Sequence, residues 1–260
     1  MPEKADYGLD APAVVRNLLV CGVVGLLLWA SRATGLWPAI LSIGPLAGVT
    51  FNFPLADMGL FAGGSCLAMG LWMLWSSKVG KAQRREKLLD QLTWTGRENV
   101  LDVGCGRGNM LVGAAKRLAK GGKATGVDIW QAEDLSGNTP EAALENARRE
   151  GVADRVAVET ADMRQLPFSD GAIDVVVSCA AIHNIYAADE RAKAIREIAR
   201  VLAPGGQVLI DDIRHVGEYA ATLAANGCRD VRRVDSRVAG ALLALVTWGS
   251  MRPGTLVARK

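Results

Sequence analysis

Asn99-Val-Leu-Asp-Val-Gly-Cys-Gly-Arg-Gly-Asn109 decides the fold of this chain. An apolar run with strand character ends in a turn that carries Gly104, Gly106 and Gly108, and Asp102 stands two residues before the first of them. Closely spaced glycines let a backbone turn sharply and approach a ligand without Cβ collisions, and a helix that follows offers unpaired N–H groups. The pattern predicts a strand, a loop and a helix that hold a nucleotide-type cofactor. A dinucleotide fingerprint needs Gly-x-Gly-x-x-Gly, whereas here the third glycine comes one position early, at Gly108, and Asn109 occupies the fingerprint position. That spacing argues against a nicotinamide cofactor.

About twenty residues further on, a second strand-like run, Ala124 to Val127, leads into Asp128, where a doubly wound sheet presents its ligand edge. A carboxylate there accepts both hydroxyls of a ribose. The chain continues through Ala161-Asp-Met-Arg-Gln-Leu-Pro-Phe168, Ile173-Asp-Val-Val-Val-Ser178 and Arg200-Val-Leu-Ala-Pro-Gly-Gly-Gln-Val-Leu-Ile210. With these motifs in order, the region from Lys87 to Lys260 resembles the class I S-adenosylmethionine-dependent methyltransferases. It is most similar to the branch that holds the quinone C-methyltransferases and many small-molecule methyltransferases. The resemblance implies a doubly wound, Rossmann-like α/β sheet and S-adenosyl-L-methionine as cofactor. It further implies that Gly104, Gly106 and Gly108 pack against the methionine part and that Asp102 engages its ammonium group. Asp128 takes the ribose, Asp162 with Met163 borders the adenine, and Ser178 belongs to the same cofactor site.

A polar insert, Trp130 to Asn138, follows Asp128. Trp130 either stacks on the adenine or packs in the core, and Asn138 or Thr139 either caps the next helix or helps to cover the adenosine. Ser178-Cys-Ala-Ala-Ile-His-Asn184 follows the fourth strand at the edge where the transferred methyl should lie. The Asx-Pro-Pro-aromatic motif of amino-methylating nucleic-acid enzymes is missing there, so no nucleic-acid substrate is expected. His183 is one of two histidines and is a candidate catalytic base, the alternative being a structural histidine near a helix start. Asp212 is the candidate that orients a base or binds a substrate cation; His215, Tyr186 and Tyr219 lie near the same edge. The five cysteines, Cys21, Cys66, Cys105, Cys179 and Cys228, form no Cys-x-x-Cys pair and indicate neither a metal site nor a disulfide framework.

Strands are predicted near Asn99–Val103, Ala124–Asp128, Val156–Thr160, Ile173–Ser178 and Gln207–Asp211. Helices are predicted near Asn109–Ala119, Pro140–Glu150, Asp189–Leu202 and Glu218–Asn226, an alternation that argues for a parallel sheet. Asp230–Asp235 and Thr255–Arg259 complete it as an antiparallel hairpin by resemblance. Between them, residues 238–249 are uncharged; they read either as a core strand with its turn or as a surface that meets lipid or a lipophilic substrate.

The first 77 residues read differently. Val14 to Ser77 contains only Arg16, Arg32 and Asp57 as charged residues, although the whole chain carries a bland net charge of +3. Val14–Ala33 and Leu55–Ser76 each approach the roughly 20 residues of a spanning helix, with Trp29, Trp37, Trp72 and Trp75 near their ends. Residues 35–54 hold Pro38, Pro45 and Pro54 and read as a partly embedded, re-entrant connection. Lys78 to Lys87 is strongly basic, which marks a cytoplasmic flank and attracts anionic lipid. The expected organisation is a transmembrane hairpin over 1–77, a basic linker with a short capping helix over 78–93 and a methyltransferase domain over 94–260. An integral membrane protein with a cytoplasmic catalytic domain and a small lipophilic or lipid acceptor follows. The competing functions are methylation of a phospholipid headgroup amine and a non-catalytic cofactor-binding regulator of a membrane partner.

Overall fold

The computed structural model describes residues 4–35, 40–46, 49–119, 121–235, 245 and 251–260. The chain divides into two compact units. One holds Gly8–Gly80 with Ala132–Ser136; the other holds the segment up to Tyr7, Lys81–Gln131 and Gly137–Lys260.

In the first unit, helix α1 (Pro12–Ala30) starts on a proline at a first-turn position, where the missing N–H costs nothing. Strands β1 (Leu41–Leu46) and β2 (Val49–Phe53) pair antiparallel, and helix α2 (Leu55–Trp75) follows, leading into a π-helical turn over Ser76–Gly80. The two helices meet through glycine. A Cβ on Gly25 would lie 2.6 Å from the Cα of Gly63, and one on Gly22 would lie 2.8 Å from the Cβ of Leu67. Small residues of this kind let helix backbones approach closely. The bulky apolar side chains point outward instead: Val20, Leu27, Phe61, Trp72 and Trp75 are all more than half exposed. Pro12–Ala30 and the helical run that starts at Asp57 each hold an 18-residue stretch apolar enough to cross a membrane, with mean hydropathy of 2.0 and 1.4 over that stretch. Near one end of the pair Arg32 Nη1 meets Asp57 Oδ1 at 3.3 Å.

The connection expected to be re-entrant is a β-hairpin in its described part. Pro45 sits in β1, where the register shifts between Ile43 and Leu46. A two-stranded sheet has only edge strands, and a register irregularity is where such a strand tolerates proline. Pro54 occupies the N-cap of α2; Trp37 and Pro38 lie outside the described residues. Ala132–Ser136, part of the polar insert, also belongs to this unit, since Leu9 N donates to Ser136 Oγ at 2.8 Å and Ala11 N to Asp134 O at 3.0 Å.

The second unit begins its helices with α3 (Lys81–Leu89), so the expected linker is helical over that range. Its two arginines are used internally. Arg84 forks onto Asp211, and Arg85 reaches the Tyr7 hydroxyl at 3.0 Å and Glu86 at 2.7 Å. Then come β3 (Asn99–Val103), α4 (Asn109–Arg117), β4 (Lys123–Asp128), α5 (Pro140–Arg149) and β5 (Val156–Thr160). After these come β6 (Ile173–Cys179), α6 (Ala188–Val201), β7 (Leu202–Asp212), α7 (Val216–Ala225), β8 (Arg229–Arg233) and β9 (Gly254–Arg259). They form one seven-stranded sheet in the order β5-β4-β3-β6-β7-β9-β8, with β9 antiparallel to both neighbours. The order turns back between β3 and β6, which pair parallel, and ligands bind at such a switch point.

Both faces of the sheet are covered, which explains its valine-rich central strands. Leu101, Val103, Val176 and Ile210 pack on one face with Ile195, Ile198 and Leu223 of α6 and α7. Val100, Val175, Val177 and Leu209 pack on the other with Leu89 and Leu111 of α3 and α4. The alternation along each strand follows from the period of two. Residues 238–249 lie outside the described residues except for Leu245.

Candidate active site

Gly104, Gly106 and Gly108 all take positive φ, at 73°, 53° and 81°, a region that residues with a Cβ rarely enter. The loop is folded back on β4: Gly104 N and Cys105 N both donate to Val127 O, at 2.8 and 3.1 Å. A Cβ on Gly104 would stand 2.3 Å from that of Ala181, in the segment after β6, so side-chain bulk is excluded where loop and segment face each other. Beneath lies Asp102, fully buried at the centre of the sheet; the Leu111 backbone N–H is the donor nearby, and neither carboxylate oxygen makes a well-formed hydrogen bond. Burial, with the nearby Asp128 carboxylate adding to it, pushes its acid up to about 8. A buried carboxylate without a partner is costly, and a cationic group brought beside it relieves that cost.

Asp128 ends β4 and is already engaged. Its Oδ2 accepts from Gly106 N at 2.8 Å, and its Oδ1 accepts from Trp130 N at 2.7 Å and from Asn138 Nδ2 at 3.4 Å. Trp130, in the left-handed region at φ 61°, is half-buried and donates from its ring N–H to Thr160 Oγ1 at 2.8 Å, so it sits over the end of β5. Thr139, not Asn138, caps α5, its Oγ1 accepting from Ala142 N at 3.2 Å. Asp162 is held in two-pronged fashion by Arg164, which keeps its carboxyl below the usual range, and Arg164 also reaches Glu190 at 2.9 Å. Met163 lies beside the glycine loop, its Cε 3.5 Å from where a Gly104 Cβ would be. Ser178 is buried and its hydroxyl donates to Val103 O at 2.8 Å, so it ties β6 to the end of β3.

His183 and Asp212 are brought together at the carboxyl ends of β6 and β7. Asp212 is buried and accepts at Oδ1 from His183 Nδ1 at 2.6 Å and from Ile213 N at 2.8 Å. Its Oδ2 accepts from the His183 backbone N–H at 3.1 Å and from the Tyr219 hydroxyl at 3.3 Å. A carboxylate that faces four donors fixes the imidazole proton on Nδ1 and leaves Nε2 as the ring's acceptor. Among the described residues Nε2 has no hydrogen-bond partner. His215 stands apart, paired to Glu218 at 3.0 Å and serving as the N-cap of α7. Tyr186 is almost wholly exposed. Cys105 and Cys179 are buried, which raises both thiols well above their ordinary range and makes them poor nucleophiles. No cluster able to hold a metal ion is present among the described residues.

Several supporting residues escape a reading by motif. Arg191 of α6, itself buried, donates to Ile185 O at 3.0 Å and Tyr186 O at 2.7 Å and pairs with Glu218, which fixes the turn that carries His183. Asn146 of α5 is buried, donates to Arg107 O at 2.9 Å and exchanges bonds with the backbone of Asp6, so it braces the cofactor loop from behind. Its sequence signal is a polar residue on the helix stripe of Ala143 and Ala147.

Residues 101–210 match the family described as methyltransferase domain. Methyltransferase GfsG of Streptomyces halstedii is 36% identical over 128 residues, 49% of this chain and 42% of that protein. The sterol 4-C-methyltransferase of Caenorhabditis elegans is 35% identical over 124 residues, 47% of this chain and 34% of that protein. The chain thus spans less than half the length of these curated relatives. Among solved structures, a SAM dependent methyltransferase from Aquifex aeolicus shares the fold at a TM-score of 0.51, with 21% identity, over 67% of this chain and 88% of the other.

Proposed function

We propose that this chain, which carries a class I S-adenosylmethionine-dependent methyltransferase domain, moves a methyl group onto a small or lipophilic acceptor while its apolar helices hold it in a membrane. The observation that carries the catalytic half is the His183–Asp212 pair, one strand away from a glycine loop over an unpartnered carboxylate. When bound, S-adenosylmethionine supplies an electrophilic methyl on a sulfonium sulfur. The residues present fit it: the crowded cradle at Gly104 excludes side-chain bulk, Asp102 offers a buried carboxyl group that can ionise against its ammonium group, and Asp128 faces its ribose. Asp162 and Met163 border the adenine, with Trp130 beside them.

His183 Nε2 takes the proton that the acceptor loses as it becomes a nucleophile. Asp212 holds the ring in the required tautomer and stabilises the imidazolium that forms, as a buried carboxylate does in other histidine bases. Tyr219 and Ile213 keep Asp212 in place. The rest of the rate comes from holding the acceptor in line and from excluding water.

The membrane half rests on the apolar exterior of α1 and α2, where large aliphatic and aromatic side chains are more than half exposed. Lipid is the solvent that such a surface suits. The catalytic unit then faces the cytoplasm. The lipophilic acceptor is drawn from that location and from relatives such as the sterol 4-C-methyltransferase.

The test is incubation of the detergent-purified chain with methyl-labelled S-adenosylmethionine and a total lipid extract, followed by mass identification of the labelled product. Label on a neutral lipid or quinone-type molecule supports the reading, and label on a headgroup amine selects phospholipid methylation. Cofactor binding without any labelled product overturns the catalytic reading in favour of a regulator.

A further inference from the structure

Asp128 does not have enough free acceptor capacity for a whole ribose. A carboxylate offers about four lone-pair sites, and three donors, Gly106 N, Trp130 N and Asn138 Nδ2, already occupy this one. A ribose diol brings two O–H donors. The second acceptor stands next to the first. Asn138 is only 7% exposed, yet it neither caps α5 nor satisfies its own oxygen, since Oδ1 is buried and has no hydrogen-bond partner. Its orientation is chemically forced. Both groups near the other end of the amide, Asp128 Oδ1 at 3.4 Å and Gln131 O at 3.3 Å, are acceptors, so the NH₂ must face them and the oxygen must turn away. An acceptor left buried and unpaired carries a desolvation cost that a bound hydroxyl recovers.

We propose that Asn138 is a second ribose-binding residue: its Oδ1 accepts one hydroxyl of the cofactor's diol while the remaining lone pair of Asp128 accepts the other. The inference rests on the S-adenosylmethionine reading and adds a residue of this chain to it. It also gives the polar insert a purpose, because the turn from Trp130 to Asn138 delivers both the Trp130 amide and the Asn138 amide to one carboxylate. The left-handed backbone of Trp130, at φ 61°, accompanies the amide contact to Asp128.

The experiment is titration calorimetry of the full chain in detergent with S-adenosylhomocysteine and with its 2′-deoxy and 3′-deoxy analogues, on wild type, Asn138→Ala and Asn138→Ser. In wild type each deoxy analogue should bind about tenfold more weakly, the loss of one hydrogen bond to a charged or buried acceptor. In Asn138→Ala, S-adenosylhomocysteine should lose about the same factor, and one deoxy analogue should bind as well as the parent, because its missing hydroxyl no longer has a partner. Asn138→Ser, which keeps an acceptor, should recover part of the loss and guards against a folding artefact. A wild-type chain that fails to bind S-adenosylhomocysteine overturns the cofactor reading itself. Wild-type binding with an unchanged affinity in Asn138→Ala, or with the same sensitivity to both deoxy analogues in each protein, overturns the role of Asn138 alone.

Discussion

The two units of this chain solve opposite packing problems with the same apolar residue types. In the sheet unit the large apolar side chains, Leu101, Val176, Ile195 and Leu209 among them, are buried. In the helical unit Gly22, Gly25, Gly59 and Gly63 are inside, and valine, leucine, phenylalanine and tryptophan lie outside. Burying a leucine or phenylalanine is worth about 1.5–3 kcal/mol in water, so a unit that spends its small residues on the interior and leaves its large ones exposed gives up that gain unless its solvent is apolar. Without a hydrophobic drive between helices, close backbone packing takes over. One chain therefore carries two packing designs.

The sharpest way to break the comparison is to separate the designs. Replacing Gly8–Gly80 by a short glycine linker is geometrically reasonable, since Lys81 Nζ already reaches Tyr7 O at 2.9 Å. We expect complete loss of membrane association, read by flotation with vesicles, and retained binding of S-adenosylhomocysteine. A cut after Ser77 that also removes the N-terminal segment should bind less well, because Asp6 and Asn146 brace the Arg107 carbonyl of the cofactor loop.

Next in size is the chemistry. His183→Ala should lower turnover by about a hundredfold or more and leave cofactor affinity nearly unchanged, because proton removal favours the transition state and not the bound ground state. An unchanged rate in the variant would make His183 a structural residue.

Asp128→Ala should weaken S-adenosylhomocysteine binding by about 1–3 kcal/mol, the range for a hydrogen bond to a charged acceptor together with the donors it leaves unpaired. Calorimetry that finds no change removes Asp128 from the site.

The smallest signal is a proton at Asp102. Its acid, pushed up to about 8 by burial in the folded chain and at about 3.9 when solvated, binds more protons folded than unfolded between those limits. Stability of the cofactor-free chain should therefore be fullest below about pH 4 as far as this group is concerned and decline as pH rises through about 8. Binding of the cationic cofactor near neutral pH should release up to about one proton, seen as a dependence of calorimetric enthalpy on buffer ionisation. Asp102→Asn should flatten both effects, raise the melting temperature of the cofactor-free chain and weaken cofactor binding.

The parts of the site that are legible in the sequence are those written into short segments. The glycine turn, Asp102, Asp128 and the alternation of strands and helices depend on neighbours a few residues away, so local pattern suffices. Asp212 and His183 were legible separately, each by its place after a strand. What joins them is the parallel pairing of β6 with β7, in which Ser178 and Cys179 register with Ile210 and Asp211. Arg191, Asn146 and the basic residues of α3 were not legible, because an arginine or asparagine on a helix looks solvated until its distant partner is known. The insert was legible only as alternatives, because it is divided between two units, with Asn138 on Asp128 and Ser136 on Leu9.

The central claim is a division of labour, in which one unit presents an apolar surface to lipid and the other transfers a methyl group to an acceptor that arrives through it. The most direct measurement uses vesicles made from a total lipid extract, with methyl-labelled S-adenosylmethionine added to the full chain and, in parallel, to the chain lacking Gly8–Gly80. The account predicts an organic-soluble labelled product from the full chain and little or none from the shortened one, although both bind S-adenosylhomocysteine. Equal labelling by the two, or binding by both with no labelled product from either, would contradict it.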